Sequence, residues 1–249
     1  MRAFKTWYEG NVFCKEKAVE FSNCDMFERI SLGEVMKTLT EAGGEDYTEK
    51  GMSHAFLVEH GYVFLLSRVT VRFHKIPKAE DIITLKTWEG RVKGPQVFRD
   101  FEIFSEQGQK IISAETAWLI VEPKTHKIIR PVNFTLRKFP ESKVTVDSME
   151  CVKIPIPEFL AELGHRKIVF SDLDGNGHVN NSKYASIAMD HLPQDVQNMD
   201  IKDFCINFAS EVKLGEVLQL YGARNEEKQM FTVVGKQKER ICFSCEFYF

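Results

Sequence analysis

The 249-residue chain has no long hydrophobic run, and this absence excludes one class of protein. No stretch approaches the roughly 18 consecutive apolar residues that a transmembrane helix needs. The first ten residues, MRAFKTWYEG, also lack the apolar core of a secretory signal peptide. We therefore expect no membrane span and a cytoplasmic location.

An excess of positive charge is also missing. The chain carries 33 Lys and Arg against 36 Asp and Glu, a formal net charge of -3. Domains that bind nucleic acid usually show a clear basic excess, so we expect no nucleic-acid partner.

Cysteine is sparse, with six residues scattered along the chain. Cys242 and Cys245 have the spacing of half a zinc site, but strand alternation would place their thiols on opposite faces. No second pair completes such a site. We therefore expect reduced thiols, no metal and no cofactor.

What the chain does contain is a weak internal repeat. Phe21-Ser22-Asn23-Cys24-Asp25 is similar to Phe170-Ser171-Asp172-Leu173-Asp174, and a helical pattern follows each run. In the first half, Ser31 and Glu34 have the spacing of a capping box, and Gly43-Gly44 are predicted to end the helix. In the second half, Asn180 or Asn181 can cap a helix that runs towards Pro193.

Strand-like segments follow each predicted helix and match one another in order. This pattern predicts an α+β fold, a tandem (double) hot-dog in which each unit is an antiparallel sheet wrapped around a long central helix. Prolines between the halves mark a connector. We predict a first unit at residues 1–130, a connector at 131–165 and a second unit at 166–249, with the two sheets paired side by side.

The second half carries a polar segment between a strand and its helix. Asp174, Asn176 and His178 occupy alternate positions, so an extended segment would place them on one face. The N–H groups of Val179 and Asn180, near the helix N-terminus, are predicted to stabilise an oxyanion. A capped turn without any catalytic role would have a similar composition.

The repeat distinguishes the two copies of this segment. The first half has Asp25, Phe27 and Arg29 where the second has Asp174, Asn176 and His178. The same comparison places Glu211 opposite Ile76, so a carboxylate replaces an apolar residue at a strand end. We predict that the second copy is catalytic and that the first, with Phe27 and Arg29, lines an acyl pocket.

The run Asp174-x-Asn176-x-His178-Val179-Asn180-Asn181-x-Lys183-Tyr184 resembles the signature of acyl-acyl-carrier-protein thioesterases of the plant and bacterial type. In the first half, Thr87-Trp88, Arg99-Asp100 and the segment 114–118 also match that family. The resemblance implies hydrolysis of the acyl thioester, which releases a free fatty acid and ends chain elongation.

The resemblance also implies residue roles and a partner. Asp174, Asn176, His178 and Glu211 would be catalytic, and Asn181 and Tyr184 would contact the substrate. Plant members carry a Cys after the Glu, whereas this chain has Val212, which excludes a thiol nucleophile there. The partner would be an acyl carrier protein bearing a phosphopantetheine-linked acyl chain. The absence of a plastid transit peptide favours a bacterial cytosolic protein, as a monomer or homodimer.

The residues leave several choices open. Glu211 or Asp174 could activate water, or Asp174 could attack directly to form an acyl anhydride. Lys124, Lys127 and Arg130 form a basic cluster that would suit an acidic carrier protein or simply a solvated loop. The alternative functions are an acyl-CoA thioesterase, a hot-dog dehydratase and a non-enzymatic acyl-binding regulator.

Overall fold

The computed structural model describes residues 4–140 and 144–249. Residues 1–3 of the predicted first unit and 141–143 of the predicted connector lie outside the described residues. The first half contains β1 (Thr6–Glu9), β2 (Val12–Ala18), α1 (Leu32–Glu49), α2 (His54–Glu59), β3 (Val63–Phe73), β4 (Ile82–Lys93), β5 (Gln96–Ser105), β6 (Lys110–Val121) and β7 (Ile128–Ile129). The second half contains β8 (Ala161–Lys167), α3 (Asn181–Asp190), α4 (Gln194–Gln197), β9 (Asp203–Phe208), β10 (Val217–Asn225), β11 (Met230–Gln237) and β12 (Arg240–Tyr248).

All strands of the described chain form one antiparallel sheet. Its order is β1-β2-β4-β5-β6-β3-β9-β12-β11-β10-β8, with β7 paired to β6. The first half supplies one side of the sheet and the second half the other, which confirms the predicted tandem hot-dog architecture. Strands β3 and β9 join the halves, and Thr70 of β3 pairs with Cys205 of β9. These two strands also match one another in the sequence repeat, so the halves meet as a dimer of similar units would.

The central helices begin where the capping residues predict. The side chain of Ser31 accepts a hydrogen bond from the N–H of Glu34, and that of Asn180 accepts one from the N–H of Ser182. The capping box is only half formed, because the Glu34 carboxylate accepts a hydrogen bond from Lys17. The two helices approach closely at Gly33, where a Cβ would meet the Ser186 Oγ at 2.4 Å.

The predicted end of the first helix at Gly43-Gly44 is wrong. Helix α1 continues through both glycines to Glu49, whereas α3 is only 10 residues long. The Arg99 side chain crosses over Gly43, where a Cβ would lie 3.2 Å from the Arg99 Cδ, and reaches the buried Asp46 carboxylate at 2.6 Å. Gly43 therefore makes room for a tertiary ion pair and does not terminate the helix.

The connector is shorter than predicted. Strand β8, which starts at Ala161, pairs with β10 and so belongs to the second unit. Before β8, the connector is hydrogen-bonded to strand side chains near the junction of the halves. The N–H of Cys151 donates to the Glu115 carboxylate, and the N–H of Ile154 donates to the Asn207 side chain.

The cysteines belong mostly to the core. Cys242 and Cys245 are both fully buried in β12, and burial raises the pKa of the Cys245 thiol. Within the described residues all six cysteines are free thiols. Among the helices that the structure describes, none is long and apolar enough to cross a membrane.

Candidate active site

The polar segment after β8 is a tight turn and not the extended segment that the alternation predicted. The N–H of Asp174 donates to the His178 carbonyl at 2.8 Å, and the N–H of Gly177 donates to the Asp174 carbonyl at 3.0 Å. Gly177 has a φ of 76°, a conformation that glycine adopts without strain. The chain therefore folds back on itself between Asp174 and His178.

The Asp174 carboxylate holds this turn together. Its Oδ1 accepts hydrogen bonds from the N–H groups of Asn176 at 2.8 Å and His178 at 3.4 Å. Such a side-chain bond to the following backbone is what favours Asp at turn positions. At least one oxygen of Asp174 is therefore engaged in shaping the backbone.

A histidine and a carboxylate from separate segments meet beside this turn. The Nε2 of His178 lies 3.1 Å from the Oε2 of Glu211, and both side chains are partly exposed. His178 forms a backbone bridge with Lys213, which fixes the turn against the segment that follows β9. If Glu211 accepts the Nε2–H, the imidazole keeps Nδ1 as a free acceptor, which suits a general base.

The pair lies in a cavity of about 950 Å³ at the boundary of the two halves. Seven of the predicted site residues line this cavity: Asp174, Asn176, His178, Val179, Asn181, Tyr184 and Glu211. Tyr184 is a buried wall residue that packs edge-on against Phe208, and burial raises the pKa of its hydroxyl. The structure thus brings together the polar residues that the sequence placed in two separate segments.

The predicted oxyanion donors are wrong. The N–H of Val179 donates to the Val212 carbonyl at 2.9 Å, and the N–H of Asn180 donates to the Asp172 carbonyl at 2.9 Å. Both N–H groups are therefore occupied by backbone carbonyls. Val212 itself is fully buried, so its position offers no exposed nucleophile.

Two other donors at the cavity have no hydrogen-bond acceptor among the described residues. One is the side-chain amide of Asn176, and the other is the N–H of Asn181, the first residue of α3. A first-turn N–H points out of the helix and carries part of the positive end of the helix dipole. Either group could donate to a developing oxyanion.

Comparisons with known proteins identify the family of this chain. The acyl-ACP thioesterase N-terminal domain model matches residues 10–133, and the acyl-ACP thioesterase C-terminal domain model matches residues 162–241. The chain belongs to the acyl-ACP thioesterase family. The family prediction made from the signature run is thereby confirmed.

Relatives of this family member come from plants and bacteria. It is 20% identical over 210 residues to the chloroplast acyl-[acyl-carrier-protein] hydrolase FATB2 of Cuphea viscosissima, covering 79% of this chain. The chain spans about half the length of that curated relative, 50%.

Two solved structures share the fold. An acyl-ACP thioesterase from Bacteroides thetaiotaomicron has a TM-score of 0.79 at 20% identity, over 96% of this chain and 97% of that one. The 12:0-ACP thioesterase from Umbellularia californica has a TM-score of 0.79 at 16% identity, over 96% and 93%.

Within this thioesterase-family chain, Phe27 and Arg29 have a different environment from the one predicted. Neither side chain lines the cavity described above or the one described next. Arg29 forms ion pairs with Asp25 at 2.8 Å and with Asp200 at 3.0 Å, and its guanidinium stacks over the Phe27 ring. Because the Arg29 guanidinium is committed to these partners, it ties the first-half turn to the second half.

A second cavity, of about 540 Å³, lies in the first half beside α1. It has the size of a small-molecule pocket and is lined mainly by apolar groups. Gly43 and Gly44 form part of its wall, and His54 lines both this cavity and the larger one. In the sequence the Gly43-Gly44 pair predicts a helix end, whereas in the structure it lines this cavity.

Proposed function

We propose that the chain hydrolyses the thioester bond of acyl-acyl-carrier-protein, releasing a free fatty acid and ending chain elongation. The observation that carries this proposal is the His178–Glu211 pair, at 3.1 Å, in a cavity shared with Asp174 and Asn176. A carboxylate-oriented imidazole suits the activation of a water molecule. Family membership supplies the thioester as the bond that is broken.

In the proposed reaction, Glu211 holds the Nε2–H of His178, and the free Nδ1 takes a proton from the attacking water. The water oxygen forms a bond to the thioester carbon, and the carbonyl oxygen becomes an oxyanion. The Asn176 amide and the Asn181 N–H stabilise that oxyanion. When the C–S bond breaks, His178 returns the proton to the leaving thiolate.

Asp174 has a supporting role in this scheme. Its Oδ1 already accepts two backbone hydrogen bonds that shape the turn. Asp25 accepts the corresponding bonds from Phe27 and Arg29 in the half that lacks the His–Glu pair. The shared pattern supports a positioning role for Asp174 and favours water over Asp174 as the attacking group.

The two cavities suggest how the substrate is held. The thioester occupies the larger cavity, and the acyl chain extends past His54 into the smaller cavity beside α1. The substrate contacts proposed here are Asn181 and Tyr184 at the thioester end. We also propose that the protein works in the bacterial cytoplasm, as a monomer or a homodimer.

One assay tests the function. Purified protein is given acyl carrier protein or CoA loaded with the same acyl chain, and free thiol is measured over a range of chain lengths. We expect thiol release, with a higher kcat/KM for the carrier protein. A higher kcat/KM for acyl-CoA would contradict the proposed carrier, and no release from either would contradict the proposed hydrolysis.

Single turnover in oxygen-18 water tests the attacking group. Water attack places the label in the fatty acid and leaves the enzyme unlabelled. Label in the Asp174 carboxylate would show that Asp174 attacks directly through an anhydride.

A further inference from the structure

An exposed apolar surface lies next to the catalytic cavity. It consists of Val169 and Phe170, which follow β8, and Leu214 and Val217, which precede and begin β10. Their exposed fractions are 41%, 83%, 57% and 42%. We call these four residues the apolar rim. Exposed apolar residues that come together in this way often mark an interaction surface.

The apolar rim is connected directly to the cavity wall. The N–H of Gly215 donates to the Ile168 carbonyl at 3.0 Å, and the N–H of Ile168 donates to the Glu216 carbonyl at 2.9 Å. These bonds hold the segments that carry Phe170 and Leu214 side by side. Lys213 and Glu216, on either side of Leu214 and Gly215, line the cavity.

The first half shows what this surface is like without a catalytic site. The repeat places Glu20, Phe21, Ala79 and Ile82 where the apolar rim has Val169, Phe170, Leu214 and Val217. The exposed Phe occurs in both copies, at 73% and 83% exposure. A charged residue and a small residue in the first copy correspond to Val169 and Leu214, so the more apolar surface accompanies the His–Glu pair.

Positive charge lies beside the apolar rim. Lys213 and Arg240 line the cavity, and in the described parts of the chain neither forms an ion pair with an acidic side chain. A phosphopantetheine arm is attached to its protein through a phosphodiester, which is negatively charged. Cations beside an apolar contact surface therefore match a protein that carries such an arm.

We propose that the acyl carrier protein docks on the apolar rim, and that its phosphopantetheine arm enters the cavity past Lys213 and Arg240. This inference rests on the proposed function, because it assumes that the cavity receives a carrier-bound thioester. A second copy of this chain bound to the apolar rim would occupy the side of the cavity through which the phosphopantetheine arm enters. The β3–β9 pairing already joins the two hot-dog units within one chain.

Paired substitutions in the two copies test the docking surface. Leu214→Glu places a negative charge in the rim, and Ala79→Glu places the same charge at the matching position of the first half. We expect Leu214→Glu to raise the KM for the acyl carrier protein about tenfold, the size of a moderate interface contact. The kcat/KM for acyl-pantetheine, which has no protein carrier, should stay within about twofold, and Ala79→Glu should change neither.

An equal loss with both substrates, or an unchanged KM for the carrier, would overturn the docking proposal. A dimer of the wild type that Leu214→Glu converts to monomer would also overturn it in favour of a second copy. If the wild type cleaves no thioester, the proposed function fails separately. Fluorescence anisotropy of labelled carrier protein then tests the docking surface without any turnover. Weaker binding to Leu214→Glu than to Ala79→Glu supports the docking proposal, and equal binding to the two variants refutes it.

Discussion

The turn at Asp25–Arg29 and the turn at Asp174–His178 share one backbone pattern and end in different side chains. In each, an Asp Oδ1 accepts hydrogen bonds from the N–H groups two and four residues later. The first turn then presents Arg29, which is paired with Asp25 and Asp200. The second presents His178, which is paired with Glu211 beside a cavity.

The difference separates what the turn needs from what the chemistry needs. The Asp is common to both copies, so its backbone bonds belong to the architecture of the hot-dog unit. The exchange of Arg29 for His178 and of Ile76 for Glu211 accompanies the larger cavity, where we propose that catalysis takes place. The two halves of one chain therefore act as an internal control for each other.

The largest expected effect comes from the ends of the two turns. His178→Ala should lower kcat at least ~100-fold, because it removes the proposed general base, and should leave the melting temperature nearly unchanged. Arg29→Ala should do the reverse, keeping kcat but lowering stability by about 1–3 kcal/mol through the loss of a part-buried ion pair. Steady-state kinetics and thermal melts check both variants. Near-normal turnover of His178→Ala would break the comparison.

The next effect concerns Asp100, which the repeat aligns with Met230 of the second half. Asp100 is 2% exposed and pairs across the sheet with Glu115. Burial, and then the Glu115 charge, raise the pKa of Asp100 to about 7. The folded protein therefore keeps a proton on Asp100 that the unfolded chain releases near its ordinary pKa, so Asp100 makes the protein less stable as pH rises from about 4 to 7.

Asp100→Asn removes this titration. Relative to the wild type, the variant should gain about 2–3 kcal/mol of stability on going from pH 5 to pH 8, at 1.36 kcal/mol per pKa unit. Urea denaturation of both proteins at the two pH values measures the difference. A stability gap that does not change with pH would show that Asp100 is ionised throughout.

A smaller effect on stability should distinguish Gly43 from Gly44, the two neighbouring glycines of α1. Gly44 has open space where a Cβ would be, so Gly44→Ala should stabilise the protein by about 1 kcal/mol through helix propensity. Gly43→Ala should fall short of that gain by about 1 kcal/mol or more, because the new Cβ presses on Arg99, which Asp46 holds in place. Equal gains in a denaturation experiment would show that Arg99 moves freely.

The smallest expected effect is at Asp174. Asn can still accept the two backbone hydrogen bonds, so Asp174→Asn should lose less than about tenfold in kcat, whereas Asp174→Ala should lose more. Asp25→Asn is the matched control and should leave kcat unchanged. A fall of about 100-fold in Asp174→Asn would assign acid–base or nucleophilic chemistry to the carboxylate itself.

Local chemistry explains what could be predicted from the sequence. The caps Ser31 and Asn180 act on their own helices, so the starts of both helices were predictable. Glu211 was identified because the repeat supplies a reference residue, Ile76, at the matching position. The tandem fold followed from the same repeat.

The errors have a common physical origin in contacts between distant segments. Gly43 lies within a helix because Arg99, on a strand, crosses it. The N–H of Val179 is occupied by the carbonyl of Val212, on the segment that follows β9. Arg29 is drawn away from a pocket by Asp200 of the other half. None of these partners could be predicted from residues nearby in the sequence.

The β3–β9 junction also affects how this molecule can change. In a symmetric homodimer each substitution is made twice, so a residue that helps one site and harms the other must be a compromise. Here the paired strands belong to a single chain, so a substitution in one half leaves the other half unchanged. Ile76 and Glu211, at matching strand ends, differ in this way. Joining the units covalently therefore allows each copy to be selected for its own purpose.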